Sequence, residues 1–224
     1  MATGHTTRAD ERRRVAAIYD RLAPDYDRME GAVERTLMGR SMRAALGAEL
    51  RGNVLEVAIG NGRNLPYYDD AVTSVVGVDL SAGMLAEARR AAIKAGRPIV
   101  LARMDAEHLA FADATFDSVV SSLSLCTVGD PARALREMAR VCKPAGRVVL
   151  LEHVRSPVLP LAWLQRLLTP LQERAMGCHL DRTTIDLVRT LGFEILSERR
   201  RFFGVFRLVV ARPPQSGSGR LSRS

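Results

Sequence analysis

The run Val54-Leu55-Glu56-Val57-Ala58-Ile59, breaking into Gly60-Asn61-Gly62, constrains this chain more than any other stretch. An apolar, β-branched run of that length reads as a buried strand. The two glycines let the backbone turn tightly and approach a ligand closely. A second apolar run, Val75-Val76-Gly77-Val78, ends in Asp79, 17 residues after Gly62. A carboxylate at the end of the second strand of a βαβ unit is placed to accept hydrogen bonds from a ribose. Together the two runs predict a nucleoside-containing cofactor held across the ends of two parallel strands.

The kind of nucleoside can be narrowed. A dinucleotide fingerprint needs a third glycine three residues after the second, and that position is Leu65. No Gly-Lys-Ser/Thr follows, so a phosphate-cradling loop is not encoded either. A nucleoside without phosphates fits these residues better.

The rest of the chain alternates helical and strand patterns. Helices are expected over 11–22, 32–50, 84–95, 131–141 and 181–191, with an apolar helical segment over 158–176 split by Pro160 and Pro170. Strands are expected over 54–59, 74–79, 98–102, 116–121, 147–153, 193–197 and 203–211, with a turn over 143–146. Such alternation predicts an α/β fold with a doubly wound, mostly parallel seven-stranded sheet. It would carry N-terminal helices over 11–50 and a helical cover over 157–180, all within one domain, 11–212. The ends, 1–10 and 213–224, are polar or Ser/Gly/Arg-rich and are expected to be disordered. Ligands of such sheets gather at the carboxyl ends of the strands. That rule brings Gly60, Asp79, Asp105, Cys126 and His153 to one rim.

These motifs resemble those of class I S-adenosylmethionine-dependent methyltransferases. Glu56-x-Ala58-x-Gly60-x-Gly62 with Asp79 is similar to the family's first two motifs, with Ala58 where a glycine is usual. Met104-Asp105-Ala106-Glu107, Leu109-Ala110-Phe111 and Thr115-Phe116-Asp117 resemble the third and fourth. Tyr19-Asp20, Ala23-Pro24 and Tyr26-Asp27 resemble the N-terminal element of the ubiquinone and menaquinone methyltransferase group. Ser122 to Val128 and Gly177-Cys178-His179-Leu180-Asp181-Arg182 resemble a branch that includes methyltransferase-like thiol methyltransferases. The resemblance implies S-adenosyl-L-methionine as cofactor, with Asp105 near the adenine amino group and Ala106 near the ring. It implies a cofactor site of Tyr19, Tyr26, Glu56, Ala58, Gly60, Gly62, Asn64, Asp79, Leu80, Met84, Asp105, Ala106, Ser122 and Leu123.

Composition limits the partners. The net charge is +8, yet Lys94 and Lys143 are the only lysines, and much of the arginine lies near the two ends. No basic stripe interleaved with aromatics marks a nucleic-acid binder. The longest apolar runs fall short of a membrane span, and 1–14 lacks the apolar segment of a signal peptide, so a cytoplasmic protein is expected. Cys126, Cys142 and Cys178 suit a reducing compartment, and their spacing matches no zinc-ligand pattern, so no metal is expected.

The acceptor is expected to be small and apolar or amphipathic, because 157–176 is leucine-rich with only Arg166, Glu173 and Arg174 charged. Leu161, Leu164, Leu167 and Leu168 recur at helical spacing, as a buried or pocket-facing stripe would. Cys126, Trp163 and Cys178 are expected at the acceptor pocket, and His153 and His179 are the candidate bases or positioning groups. A thiol needs little help to lose its proton near neutral pH, which inclines the reading toward S-methylation. C- or O-methylation of a quinone or phenol, phospholipid N-methylation with peripheral membrane contact, and cofactor binding without catalysis are the alternatives.

Overall fold

The computed structural model describes residues 7–215. Its framework is a seven-stranded sheet of order β3-β2-β1-β4-β5-β7-β6. The strands are β1 (Gly52–Val57), β2 (Val72–Asp79), β3 (Val100–Arg103), β4 (Phe116–Ser122), β5 (Cys142–His153), β6 (Glu194–Arg201) and β7 (Phe206–Arg212). The first five pair in parallel. β7 inserts antiparallel between β5 and β6. The reversal of strand order lies between β1 and β4, where ligands of open α/β sheets collect.

Both faces of the sheet are covered, which is why its central strands carry buried apolar side chains in consecutive pairs, Val54-Leu55, Val119-Val120 and Val148-Val149, rather than at alternate positions. On one face Leu55, Val119, Val148 and Leu150 pack with Leu135 and Met138 of α5 (Pro131–Val141) and with Ile185 and Val188 of α7 (Thr184–Thr190). On the other, Val54, Val75, Val120 and Val149 pack with Met42 and Leu46 of α3 (Arg40–Gly47) and Ala88 and Ala92 of α4 (Ala82–Lys94). The two expected caps form. Ser81 Oγ accepts the Met84 amide at 3.0 Å, and Asp130 Oδ1 accepts the Arg133 amide at 3.0 Å.

Several boundaries differ from expectation. α1 (Arg8–Leu22) starts ahead of residue 11, inside the stretch expected to be disordered, because Thr7 and Asp10 form a reciprocal capping box. The expected helix over 32–50 is two, α2 (Tyr26–Leu37) and α3, separated at Gly39, whose φ of +80° cannot continue a helix. α6 (Leu159–Met176) is continuous: Pro160 sits in its first turn, where no amide is needed, and Pro170 is carried inside it. The expected turn over 143–146 belongs to β5, and β7 starts after a loop over 202–205. Residues 1–6 and 216–224 lie outside the described residues, together with most of the expected disordered ends.

Candidate functional site

A cleft enclosing about 1040 Å³, mouth included, opens at the carboxyl ends of β1, β2 and β4. Its floor is the turn after β1. Ala58 and Gly60 both take left-handed backbone angles, φ +52° and +58°. A Cβ built on Gly60 would meet no atom within 4 Å, so the backbone here borders open space. Gly62, at φ +78°, does a different job. A Cβ there would come within 3.2 Å of the Ala88 backbone, so this glycine lets the turn pack against α4 and does not line the cleft.

Asp79 closes the end of β2. Its Oδ2 accepts the Gly60 amide at 2.9 Å and its Oδ1 the Ser81 amide at 2.8 Å. Burial raises its pKa above the usual aspartate value, against the lowering effect of those amides. The carboxylate is thus held rigid at the cleft wall with lone pairs still available, as a ribose-binding group requires.

Behind the turn lies a buried polar knot. Glu56 accepts Asn64 Nδ2 at 2.7 Å on one oxygen and the Tyr68 hydroxyl at 2.7 Å on the other. Arg43 of α3 donates to Asn64 Oδ1 and, at 3.3 Å, to Ser122 Oγ. Burial pushes the Glu56 carboxyl up to about 7 despite these donors. Arg43 ties β1 to the end of β4 and lines the cleft. Sequence reading missed it because nothing local marks an arginine in a helix of otherwise ordinary pattern.

The N-terminal segment closes the cleft from above. Glu11, Arg12, Val15, Ala16, Tyr19 and Tyr26 line it. The two aspartates beside the tyrosines act as anchors. Asp20 Oδ1 accepts Ser81 Oγ at 2.6 Å and the Gly83 amide at 2.9 Å, which fixes α1 on the turn after β2. Asp27 Oδ1 accepts Asn61 Nδ2 and Arg63 Nε, both at 2.7 Å, which fixes α2 on the turn after β1. The tyrosine rings lie 6.0 Å apart, with the Arg63 guanidinium 5.3 Å from the Tyr26 ring centre. Burial keeps the Tyr19 phenol protonated, with its pKa well above 10.0. Asp105 is engaged at both oxygens: its Oδ1 accepts the Glu107 amide at 2.9 Å and its Oδ2 lies 3.2 Å from Arg12 of α1.

Leu80, Met84, Ala106, Leu123, Glu56, Asn64 and Ser122 line the same cleft, as do Ala58, Gly60, Asp79 and Asp105. The residues expected at the acceptor pocket are placed otherwise. Trp163 is 73% exposed on the outer face of α6, away from the cleft. Three of the four stripe leucines also face out, Leu164 at 47%, Leu167 at 63% and Leu168 at 42% exposure, while Leu161 is half-buried. Gln165, on the opposite face, takes the inward position. It accepts the Ser156 amide and donates to the carbonyls of Val154 and Leu180, so hydrogen bonding rather than apolar packing docks this helix.

Cys126 and Cys178 are buried behind the cleft wall, and neither lines the cleft. His153 Nε2 lies 3.2 Å from Cys178 Sγ. The Cys126 thiol and then His153 favour the thiolate of Cys178, whose pKa is lowered against the effect of burial. Burial disfavours the His153 imidazolium, but Cys178 and Glu152 outweigh it and the pKa is raised. His153 is therefore engaged with sulfur rather than poised as a base in the cleft. His179 points elsewhere, with Nδ1 4.0 Å from Glu173 Oε2.

Known proteins fit this geometry. A methyltransferase domain model matches residues 55–150. A phosphatidylethanolamine N-methyltransferase of Cereibacter sphaeroides is 42% identical over 132 residues, 58% of this chain and 64% of the relative. A demethylmenaquinone methyltransferase of Beutenbergia cavernae is 36% identical over 166 residues, 70% of this chain and 67% of that relative. The chain thus spans about two thirds of the length of these relatives. A SAM-dependent methyltransferase from Thermotoga maritima shares the fold, with a TM-score of 0.65 at 23% identity over 89% of this chain and 99% of that one. With a cleft over the β1 turn, Asp79 at its wall and a tyrosine-bearing N-terminal segment above it, the chain belongs to the class I S-adenosylmethionine-dependent methyltransferases, in the ubiquinone/menaquinone methyltransferase-like group.

Proposed function

We propose that the protein transfers the methyl group of S-adenosyl-L-methionine to a small, amphipathic acceptor carried in lipid. The observation that supports the transfer is the convergence of Tyr19, Tyr26, Gly60, Asp79, Asp105 and Leu123 on one cleft, from segments a hundred residues apart. When bound, the cofactor supplies a methyl group already activated by its sulfonium, so the acceptor's lone pair or ring carbon displaces the thioether directly. The protein's part is to orient and to exclude water. Asp79 accepts the ribose hydroxyls. The turn at Gly60 gives the backbone close approach. Ala106, Leu80 and Met84 offer apolar surface to the adenine, and Tyr19 and Tyr26, anchored by Asp20 and Asp27, roof the reacting atoms.

The lipid-borne acceptor rests on two observations. The relatives are named for a phospholipid amine and a menaquinone precursor. Leu159, Trp163, Leu164, Leu167, Leu168 and Leu171 form an exposed apolar face on α6, flanked by the exposed Arg166 and Arg174. An amphipathic helix with basic flanks suits an anionic bilayer surface. No helix among the described residues is long and apolar enough to cross a membrane. The inclination toward a thiol has no counterpart in the relatives named above, and no observation in the cleft restores it.

The test is a methyl-transfer panel with labelled cofactor: a demethylated quinone and a phosphatidylethanolamine in anionic vesicles, a soluble phenol and an alkane thiol. Label in the quinone or the phospholipid supports the proposal. Label in the thiol or phenol alone overturns the lipid-borne acceptor, and label in none overturns the transfer.

A further inference from the structure

Cys126, His153 and Cys178 come from three different strand and loop ends, yet each offers a ligand atom within 4.8 Å of the other two. Cys126 follows β4, His153 ends β5, and Cys178 follows the left-handed Gly177 that stops α6. The frame around them is tied. The His179 amide donates to the Cys126 carbonyl at 3.1 Å, and Arg182 Nη1 donates to the Leu125 carbonyl at 2.7 Å. Both cysteines are buried and are free thiols.

We propose that these three side chains form a binding site for one divalent, thiophilic cation of the zinc class. Tetrahedral zinc with Zn–S of about 2.3 Å and Zn–N of about 2.0 Å sets ligand atoms about 3.5–3.8 Å apart. The observed separations, 3.2 Å between His153 Nε2 and Cys178 Sγ and none above 4.8 Å, need shifts of a few tenths of an ångström to an ångström to reach that spacing. Two thiolates neutralise a dication, so a loaded site adds no net charge to the interior, and soft sulfur ligands select zinc over magnesium or calcium. Binding needs both sulfurs as thiolates and the imidazole neutral, and the displaced protons leave to solvent. A second observation points to a missing ligand here. Glu152 Oε2, on the residue before His153, is buried and meets no partner among the described residues. Unsatisfied buried polar atoms mark places where an ion or its bound water completes the structure. Three protein ligands leave a tetrahedral ion one open position, the arrangement of reactive rather than structural zinc sites.

The experiment uses the full-length reduced protein, stripped with a chelator. Cobalt(II) is titrated in as the optical probe, then zinc is added in competition with a chromophoric chelator. The expected result is saturation at one equivalent, with a thiolate-to-cobalt charge-transfer band in the near ultraviolet that zinc abolishes. Cys126→Ser and Cys178→Ser should each halve that band, and each should weaken zinc by at least about a hundredfold, since even an outer-shell partner is worth 10–100-fold. His153→Gln should weaken zinc while keeping the sulfur band. Affinity for S-adenosylhomocysteine, measured by calorimetry, reports folding of each variant independently. Should a variant fail to fold, the wild-type stoichiometry and band intensity still count the thiolate ligands. The proposal is overturned by no saturable binding in the wild type, by undiminished zinc affinity in the Cys126→Ser/Cys178→Ser double variant, or by a Cys126–Cys178 disulfide forming in protein that takes up no cobalt when reduced.

Discussion

Replacing Asp79 with asparagine isolates the charge at the cleft wall with almost no change of shape. The carboxylate serves two backbone amides, at 2.9 Å from Gly60 and 2.8 Å from Ser81. An ionised carboxylate keeps two further lone pairs for the ribose. The amide keeps one accepting oxygen and turns an NH2 group toward one of the two amides. Losing a hydrogen bond to a charged group costs about 1.5–3 kcal/mol, so the dissociation constant for S-adenosylmethionine and for S-adenosylhomocysteine should rise roughly 10- to 150-fold. Calorimetry with both ligands near pH 8 reads this directly, and denaturant unfolding without ligand measures what the variant costs the fold alone. The pH dependence adds a second check. Burial holds the Asp79 pKa above the usual aspartate value. The ionised form is the better acceptor, so affinity is complete above that raised pKa and is lost as pH falls through it, at a higher pH than an ordinary aspartate would give. Asp79→Asn should flatten that limb. A variant that binds both ligands within about twofold of wild type, with the limb intact, would refute the ribose assignment.

Three further outcomes follow from the geometry. Ala58 holds a left-handed φ of +52°, which costs a non-glycine residue about 1–2 kcal/mol; less the extra unfolded-state freedom of glycine, Ala58→Gly should gain up to about 1 kcal/mol in denaturant unfolding, and a loss of that size would mean that the Ala58 methyl makes a needed contact. Gln165→Leu leaves the Ser156 amide and the Val154 and Leu180 carbonyls without their partner and should cost roughly 2–5 kcal/mol; an unchanged unfolding midpoint would show that α6 is docked by other means. Leu164→Ser with Leu168→Ser alters an exposed face, so stability should move by less than about 1 kcal/mol and S-adenosylhomocysteine affinity should hold, while sedimentation with anionic vesicles and methylation of vesicle-borne acceptors fall; equal losses on a soluble acceptor would refute the membrane-facing role.

Much of the cofactor side was legible because its determinants are local. The β1 run, the glycine turn and Asp79 lie within one βαβ unit, and strand alternation alone brings their ends together. The paired Tyr-Asp elements could be seen, but the division of labour could not: the structure shows Asp20 and Asp27 gripping the turns after β2 and β1 while the tyrosines roof the cleft. The acceptor side was harder to read because helical periodicity says which residues share a face, not where that face points. Leu164, Leu167 and Leu168 do share one, and it faces solvent, because Gln165 finds three backbone partners inside.

The amino-acid sequence by itself determined the sheet, the turn and the family, since each follows from short-range pattern: apolar strand runs, glycines where the backbone must turn, a carboxylate at a strand end. Tertiary structure alone decided what lies behind the cleft. Cys126, His153 and Cys178 have no metal-ligand spacing along the chain, and spacing argued against a metal. Strands β4 and β5 are neighbours in the sheet, and the turn after α6 folds back onto the loop after β4 through the His179 amide and Arg182. Contacts between residues 25 to 52 positions apart are set by the order of strands and the docking of loops, which no local periodicity encodes.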